Sequence, residues 1–195
     1  MGKVTFDMSI SLDGFVTASN IRPEEPLGDG GQRLHDWAFN TEDDRNREVL
    51  AQGVNTGAII AGRRTYDASV PWWGADGPSG AARLPLFVVT HNAPRNIPKG
   101  SVYRFITNGI ESAMEEAQKT AGGKDVTIMG GPEIGQQFIH KGLVDEISIH
   151  LVPVLFGGGI RLFERLQEEH ILLETIGVID TPEATHLRYR IVKKK

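Results

Sequence analysis

The sequence contains no cysteine among its 195 residues. Without cysteine the chain has no disulfide bond, no thiolate nucleophile and no zinc site with cysteine ligands. It also lacks a run of about 18 apolar residues, so we expect no membrane-spanning helix. Its first residues enter a strand pattern directly, without the apolar stretch and cleavage site of a secretory signal. These absences together favour a cytoplasmic protein.

The charge balance shows no excess of positive charge. The 21 basic residues are outnumbered by 25 acidic ones, which gives a net charge of -4. A broad nucleic-acid-binding face is therefore not expected, and an anionic cofactor would depend on local donors. The 6 histidines show no metal-ligand spacing, so no metal site is predicted. The length and the 39% hydrophobic share fit one domain over residues 1–195.

Strand and helix patterns alternate through the first two-thirds of the chain. Apolar, β-branched runs predict strands over residues 3–12, 57–61, 85–90, 102–106, 125–129 and 144–152. Helices are predicted from about 42 to 53 with Thr41 as the cap, after Asn108 and after Pro132. Residues 19–36 and 67–84 are rich in turn-forming residues and are predicted to be long loops. A last pair, 171–179 and 185–192, predicts an antiparallel hairpin at the edge of a largely parallel α/β sheet.

One predicted strand end combines two glycines with a helix start. The segment Gly130-Gly131-Pro132-Glu133-Ile134 joins a strand to a helix. Two glycines permit close approach of a ligand, and the free N–H groups of a helix start attract a phosphate. The segment is equally consistent with a tight turn that has proline at the first helical position.

A second predicted strand end carries Gly62-Arg63-Arg64-Thr65. Guanidinium and hydroxyl groups are good phosphate donors, although an exposed basic turn is the alternative interpretation. A P-loop is rejected, even though Gly57 and Gly62 have its spacing. The two positions after the second glycine are both arginine, where that motif needs Lys and then Ser or Thr.

The third strand end is Thr90-His91-Asn92, with Arg95 soon after, and ordinary loop chemistry is its alternative interpretation. The carboxyl ends of parallel strands lie along one edge of an open sheet, which is where such sheets bind ligands. The coincidence of three such ends favours one nucleotide site over three unrelated turns. A standard dinucleotide-binding dehydrogenase is disfavoured because no G-x-G-x-x-G occurs, and no G-x-S-x-G hydrolase motif is present.

Six motifs in order resemble the dihydrofolate-reductase-like superfamily, most closely the reductase domain of riboflavin biosynthesis and its stand-alone relatives. They cover nearly the whole chain and are Ser11-Leu12-Asp13-Gly14-Phe15, Gly62-Arg63-Arg64-Thr65-Tyr66, Val88-Val89-Thr90-His91-Asn92, Met129-Gly130-Gly131-Pro132-Glu133, Leu143-Val144-Asp145-Glu146 and Pro153-Val154-Leu155-Phe156-Gly157-Gly158-Gly159. The resemblance implies a mostly parallel central sheet of about eight strands with flanking helices, and NADPH across its carboxyl edge.

The resemblance also implies roles for individual residues. The cofactor would be held by Gly62, Arg63, Arg64, Thr65, Thr90, His91, Asn92, Gly130, Gly131, Glu133 and Ile134. Asp13 and Gly14 would lie beside the nicotinamide and the substrate, although an ordinary turn also explains that pair. The stretch 35–39 does not clearly match the helix whose carboxylate binds the pterin in dihydrofolate reductase, which argues against folate reduction. The zinc deaminase fused to many riboflavin enzymes needs cysteine, so this chain would be the reductase module alone.

Hydride transfer asks the protein mainly for position and exclusion of water, and the two long loops are candidates for that cover. Trp37, Trp72 and Trp73 are candidate stacking walls for a flat substrate ring, with packing as the alternative. Asp13 and Asp36 are the candidate proton donors. We therefore predict an NADPH-dependent reductase of a small heterocycle of the pyrimidine or pterin type. A homodimer through the apolar late strands is also expected.

Two other functions stay open at this point. One is a non-catalytic nucleotide-binding or scaffold protein on the same fold, and the other is a true dihydrofolate reductase. Oxidation of NADPH with any such substrate would exclude the first. Turnover of dihydrofolate and inhibition by antifolates would identify the second.

Overall fold

The computed structural model describes residues 2–164, 166 and 170–193. Its strands are β1 (Val4–Ser11), β2 (Phe15–Thr17), β3 (Thr56–Gly62), β4 (Leu86–Val89), β5 (Tyr103–Ile106), β6 (Asp125–Met129), β7 (Glu146–Val152), β8 (Ile160–Arg161), β9 (Leu173–Asp180) and β10 (Thr185–Ile191). Its α-helices are α1 (Asp36–Phe39), α2 (Asp44–Ala51), α3 (Arg63–Trp73), α4 (Ile110–Ala121) and α5 (Pro132–His140). Short 3-10 helices lie at Gly31–His35, Gln52–Asn55 and Gly80–Ala82.

The main sheet has eight strands in the order β5-β4-β3-β6-β1-β7-β10-β9. Strand β3 pairs in parallel with β4 and β6, and β4 pairs in parallel with β5. Strand β10 pairs antiparallel with both β7 and β9, so the chain ends in the hairpin expected at the sheet edge. The predicted α/β class, with a mainly parallel sheet and antiparallel C-terminal strands, is confirmed.

The chain forms two compact units. The first comprises the chain start to Thr5 together with Asn55–Leu143, and the second comprises Phe6–Val54 and the chain from Val144 onward. The first unit contains β3 to β6 with α3, α4 and α5, and the second contains α1, α2 and β7 to β10. No helix within the described ranges is long and apolar enough to cross a bilayer.

The core of the first unit is built from strands that are apolar on both faces. Ile60, Phe87 and Ile128 are fully buried in three neighbouring strands. Helix α4 buries one face, with Ala113 and Ala117 completely enclosed. Continuous apolar runs of this kind are what a parallel sheet requires, because helices cover both of its sides.

Helix α3 corrects the prediction that residues 67–84 are a long loop. The helix runs to Trp73 with Pro71 inside it, although an interior proline removes one backbone hydrogen bond. Tyr66 is buried, and Val70 and Trp73 pack against the same apolar cluster. Burial of this face offsets the cost of the proline, and the composition of the segment gives no sign of that.

The second unit also differs from the sequence pattern in detail. Helix α2 is capped by Asp43, whose carboxylate accepts from the Arg45 N–H, and not by Thr41. The Thr41 hydroxyl instead accepts from the Asp43 N–H at 3.0 Å. The predicted loop 19–36 contains the 3-10 helix Gly31–His35. Strands β2 and β8 pair with each other and were not predicted, because two or three residues carry no detectable alternation.

Gly159 is a position where the second unit accepts only glycine. Its φ is +131°, and an added Cβ would lie 1.9 Å from the Thr17 carbonyl oxygen. We expect Gly159→Ala to lower the free energy of unfolding by about 2–4 kcal/mol, measured by urea denaturation. Gly53→Ala is the matched control, since its Cβ would meet nothing within 4 Å. Equal effects of the two variants would contradict this account.

Candidate functional site

The carboxyl ends of β3, β4 and β6 lie side by side in the first unit. In the parallel registers, Gly62 is level with Val89 and Ala61 is level with Met129. The residues that follow, Arg63, Thr90 and Gly130, therefore leave the sheet at one edge. We call the segments Gly62–Thr65, Thr90–Asn92 and Gly130–Ile134 the rim.

Direct hydrogen bonds join the three rim segments. The Thr65 hydroxyl accepts from the Gly131 N–H at 2.9 Å. The Arg63 guanidinium donates to the Asn92 carbonyl at 2.5 Å and to the Thr90 hydroxyl at 3.4 Å. The sequence prediction that these strand ends converge is confirmed by these contacts, because each segment touches at least one other.

Two helices begin at the rim with their first N–H groups uncapped by side chains. Helix α3 follows Gly62 and α5 follows Gly131, and neither helix has a side-chain cap. The first turn of α3 holds no acidic residue. Helix starts of this kind carry partial positive charge and favour an anion.

The two adjacent arginines of the rim differ in the number of partners that their side chains contact. Arg63 forms an ion pair with Asp67 at 2.7 Å in addition to its bonds across the rim. Arg64 is exposed and makes no side-chain hydrogen bond or ion pair with the described part of the chain. Arg63 is thus already committed to holding the rim together, and Arg64 is available to an anionic ligand.

Contacts within the protein require glycine at position 130. Its φ is +93°, and an added Cβ would lie 2.4 Å from the Thr65 hydroxyl oxygen. At Gly131 the same atom would lie 3.8 Å from that hydroxyl, which is ordinary contact. The close approach of α3 to the end of β6 therefore explains Gly130 without a ligand.

The other predicted cofactor residues at the rim include both exposed polar residues and one buried apolar residue. His91, Asn92 and Glu133 are exposed, whereas Ile134 is buried and lies under Gly62. Arg95 is exposed, three residues beyond the rim. The rim thus combines an apolar floor at Ile134 with polar groups at its edge, an arrangement suited to a nucleotide.

In the second unit, Asp13 holds the backbone of residues 156–157. Its carboxylate accepts from the Phe156 N–H at 3.1 Å, the Gly157 N–H at 2.7 Å and the Ser11 hydroxyl at 2.6 Å. The Ser11 bond, aided by the two backbone N–H groups, lowers the pKa of Asp13 to about 2. A carboxyl with this pKa has no proton to give near neutral pH, which is at odds with its predicted role as a proton donor.

The other residues predicted to lie near the substrate differ in their hydrogen bonds and in their burial. The Gly14 N–H closes a turn onto the Ser11 carbonyl, and Asp36 accepts from the Asn40 side chain at 2.9 Å. Trp37 is 6% exposed and donates to the Ser9 hydroxyl, so it is a core residue and the prediction of an open stacking wall is wrong. Trp73 packs into the core of the first unit, whereas Trp72 is 68% exposed.

Sequence reasoning missed a buried polar cluster in the second unit. His150 and His186 lie 2.8 Å apart through their Nδ1 atoms, and the Trp37 ring packs 4.1 Å from the His150 ring. Asn46 is fully buried beneath His186. The available signal was that β7 and β10 place histidine at positions where neighbouring strand residues are apolar.

This α/β architecture, with three strand ends that converge on one rim, is a dihydrofolate-reductase-like fold. The RibD C-terminal domain model matches residues 2–187, and the chain belongs to that family. Its members are reductases that generally use NADPH.

Individual relatives agree with this assignment. The uncharacterized protein YyaP of Bacillus subtilis is 26% identical over 170 residues, covering 83% of this chain and 80% of its own length. A candidate riboflavin biosynthesis protein of Shewanella sp. PV-4 superposes with a TM-score of 0.71 at 23% identity, over 99% of this chain and 100% of that one. Dihydrofolate reductase of Enterococcus faecalis has the same fold, with a TM-score of 0.61 at 14% identity over 98% of each chain.

The buried histidine pair predicts a loss of stability in acid. Burial, and then the charge of His150, lower the pKa of His186 to about 4 from 6.5. Between these values the unfolded chain takes up a proton that the folded chain refuses, so the free energy of unfolding falls as the pH drops. The loss from pH 6.5 to 4 is on the order of 3 kcal/mol.

Urea denaturation of the wild type and of His186→Gln at several pH values measures this loss in the free energy of unfolding. The variant is expected to show a shallower decline below pH 6.5, whereas the exposed His91→Gln keeps the wild-type slope. Parallel curves for all three proteins would show that His186 does not carry the effect.

Proposed function

We propose that the chain is an NADPH-dependent reductase that transfers a hydride to a small heterocyclic substrate of the pyrimidine or pterin type. The convergence of three strand ends on one rim carries the proposal, since it provides helix starts and basic side chains together. Membership of the RibD C-terminal family supports the reaction class. The solved Enterococcus dihydrofolate reductase was bound to NADP(H), which supports the choice of cofactor.

The rim residues fit the anionic part of NADPH. Arg64 and the first N–H groups of α3 would meet phosphate oxygens, because both are unengaged by side chains of the described residues. Gly131 leaves room at the start of α5 for close approach. Thr90, His91 and Asn92 would lie by the adenosine half, where Arg95 adds positive charge for a 2′-phosphate. Bound NADPH supplies the hydride, so the protein needs no redox side chain.

Substrate recognition would draw on groups that the cofactor does not use. Trp72 presents the exposed indole of the chain and is the tryptophan suited to stack on a flat ring. Asp13 and Gly14 would act through the turn that they fix, since the Asp13 carboxylate is fully occupied by donors. Given the family, the first substrate to test is 5-amino-6-(5-phosphoribosylamino)uracil.

Calorimetry with NADPH, followed by assays of NADPH oxidation, tests the proposal. We expect NADPH binding and turnover of a pyrimidine substrate. Binding without turnover of any pyrimidine or pterin would favour the non-catalytic alternative, and turnover of dihydrofolate with antifolate inhibition would identify a dihydrofolate reductase. Absence of NADPH binding even at millimolar concentration would refute the reductase assignment.

Arg64 provides a sharper test of the rim. A charge-assisted hydrogen bond to phosphate contributes about 1.5–3 kcal/mol, so Arg64→Ala should weaken NADPH binding by roughly 10- to 100-fold. Arg47→Ala removes the same charge from an exposed ion pair on α2 and serves as the control. Calorimetric affinities that are equal for both variants would place the phosphates elsewhere.

We also propose that the protein forms a homodimer through β9. This strand lies at the sheet edge, and exposed apolar side chains lie on it and just before it, namely Ile171, Leu172, Leu173 and Val178. Unpaired edges with apolar side chains favour association. Sedimentation is expected to give twice the 21.4 kDa chain mass. Val178→Lys should give monomers, and Val54→Lys, at an exposed position on a 3-10 helix, should not.

A further inference from the structure

One asparagine of the sequence is followed directly by glycine, and this pair, Asn108-Gly109, joins β5 to α4 in the first unit. Both residues are exposed. An Asn-Gly pair is chemically labile, because the backbone nitrogen of the glycine can attack the carbonyl carbon of the asparagine side chain. Glycine has no Cβ to crowd that nitrogen and adopts many backbone conformations. Reaction in the folded protein therefore depends on how firmly the fold holds the pair.

The structure leaves the backbone nitrogen of Gly109 open to reaction. The Gly109 N–H makes no hydrogen bond within the described part of the chain. The glycine lies ahead of the first helical residue, Ile110, so the turns of α4 do not enclose it. Solvent base can therefore remove the proton from this nitrogen, which makes the nitrogen a nucleophile.

The side chain of Asn108 is held as loosely as the nitrogen that would attack it. The Thr107 hydroxyl lies 3.5 Å from the Asn108 Oδ1, which is the outer limit of a hydrogen bond. The Asn108 amide nitrogen has no hydrogen-bond partner among the described residues, and the side chain does not cap α4. The amide group is thus able to rotate toward Gly109.

The backbone conformation at Gly109 keeps the pair reactive. Its φ is +97° and its ψ is 178°, a combination that is essentially restricted to glycine. The chain needs this conformation to leave β5 and enter α4, which buries Ala113 and Ala117. A side chain at position 109 would shield the nitrogen, but the fold does not accept one there.

We propose that Asn108 is a site of spontaneous deamidation. The Gly109 nitrogen bonds to the Asn108 Cγ, the bond from Cγ to the amide nitrogen breaks, and that nitrogen leaves as ammonia with the proton that Gly109 has lost. The product is a five-membered succinimide. Water that opens this ring at the side-chain carbonyl gives aspartate, and water at the backbone carbonyl gives isoaspartate. The net reaction consumes one water, releases one ammonia and replaces a neutral amide by a carboxylate.

Isoaspartate would strain the junction between β5 and α4, because it adds one carbon to the main chain. Ile106 and Ile110 flank the pair and are both buried. The Ile106 carbonyl also accepts from the N–H of Thr90, a residue of the rim, at 3.0 Å. The extra length therefore disturbs close-packed contacts on one side or the other. Aspartate keeps the normal backbone, and its charge at the start of a helix is favourable.

Mass spectrometry of peptides from the purified full chain, aged in mildly alkaline buffer, tests the modification. The peptide with Asn108 should gain about 1 Da and separate into two products. Asn96 is the internal control, since it is exposed in the same unit but is followed by Ile97. The β-branched side chain crowds the attacking nitrogen there, so Asn96 should react about 10-fold more slowly or less. Equal rates at the two sites, or an unchanged mass at Asn108, would overturn the proposal.

Two variants separate the effect of the added charge from that of the added backbone carbon. Asn108→Gln keeps an amide but would have to form a six-membered ring, so its mass and its urea midpoint should not change on ageing. Freshly prepared Asn108→Asp carries the charge on a normal backbone and should unfold at or above the wild-type midpoint. The isoaspartate form, purified by chromatography, should unfold at a midpoint lower by roughly 0.5–1 M urea. A wild-type midpoint for that form would refute the strained junction.

Discussion

The parallel pairing of β3 with two neighbours is the constraint on which the rim depends. Because Gly62 is level with Val89 and Ala61 with Met129, three chain exits share one edge. Ile60, Phe87 and Ile128 in the strands behind them are fully buried, so the loops start from a rigid base. The bond from Arg63 to Asn92 and the bond from Gly131 to Thr65 are consequences of this register. A slip of one residue would separate all of these partners.

The strands could be predicted from the sequence because a parallel sheet needs uninterrupted apolar runs, and such runs stand out between glycine-rich turns. Their register at the rim follows from the rule that parallel strands end together. Helix α3 could not be predicted in the same way, since Pro71 and the glycines after it are typical of a loop. What decides the segment is the burial of Tyr66 among residues from other strands. That contact exists only once the sheet has formed.

At the candidate site the sequence predicted that three segments converge, but it did not predict the contacts of each side chain. Arg63 and Arg64 are adjacent in sequence, but a helix turns by about 100° per residue, so they face different surroundings. One pairs with Asp67 four residues on, and the other stays exposed. Asp13 lies in a recognisable turn, yet two of its donors are the backbone N–H groups of Phe156 and Gly157. These residues lie 143 and 144 positions later in the chain. No local pattern reveals partners at that separation.

The buried polar cluster of the second unit raises the question of why a fold would bury two histidines, His150 and His186. Apolar side chains of similar volume would fill the space beside Trp37 without the cost of desolvating imidazoles. The hydrogen bonds of Asn46 and His186 offset part of that desolvation cost, because each donor there meets an acceptor. A purely structural network would be complete at that point. The contact of His150 with Asp7 extends the network toward solvent, because the Asp7 side chain is 41% exposed whereas His150 is 3% exposed.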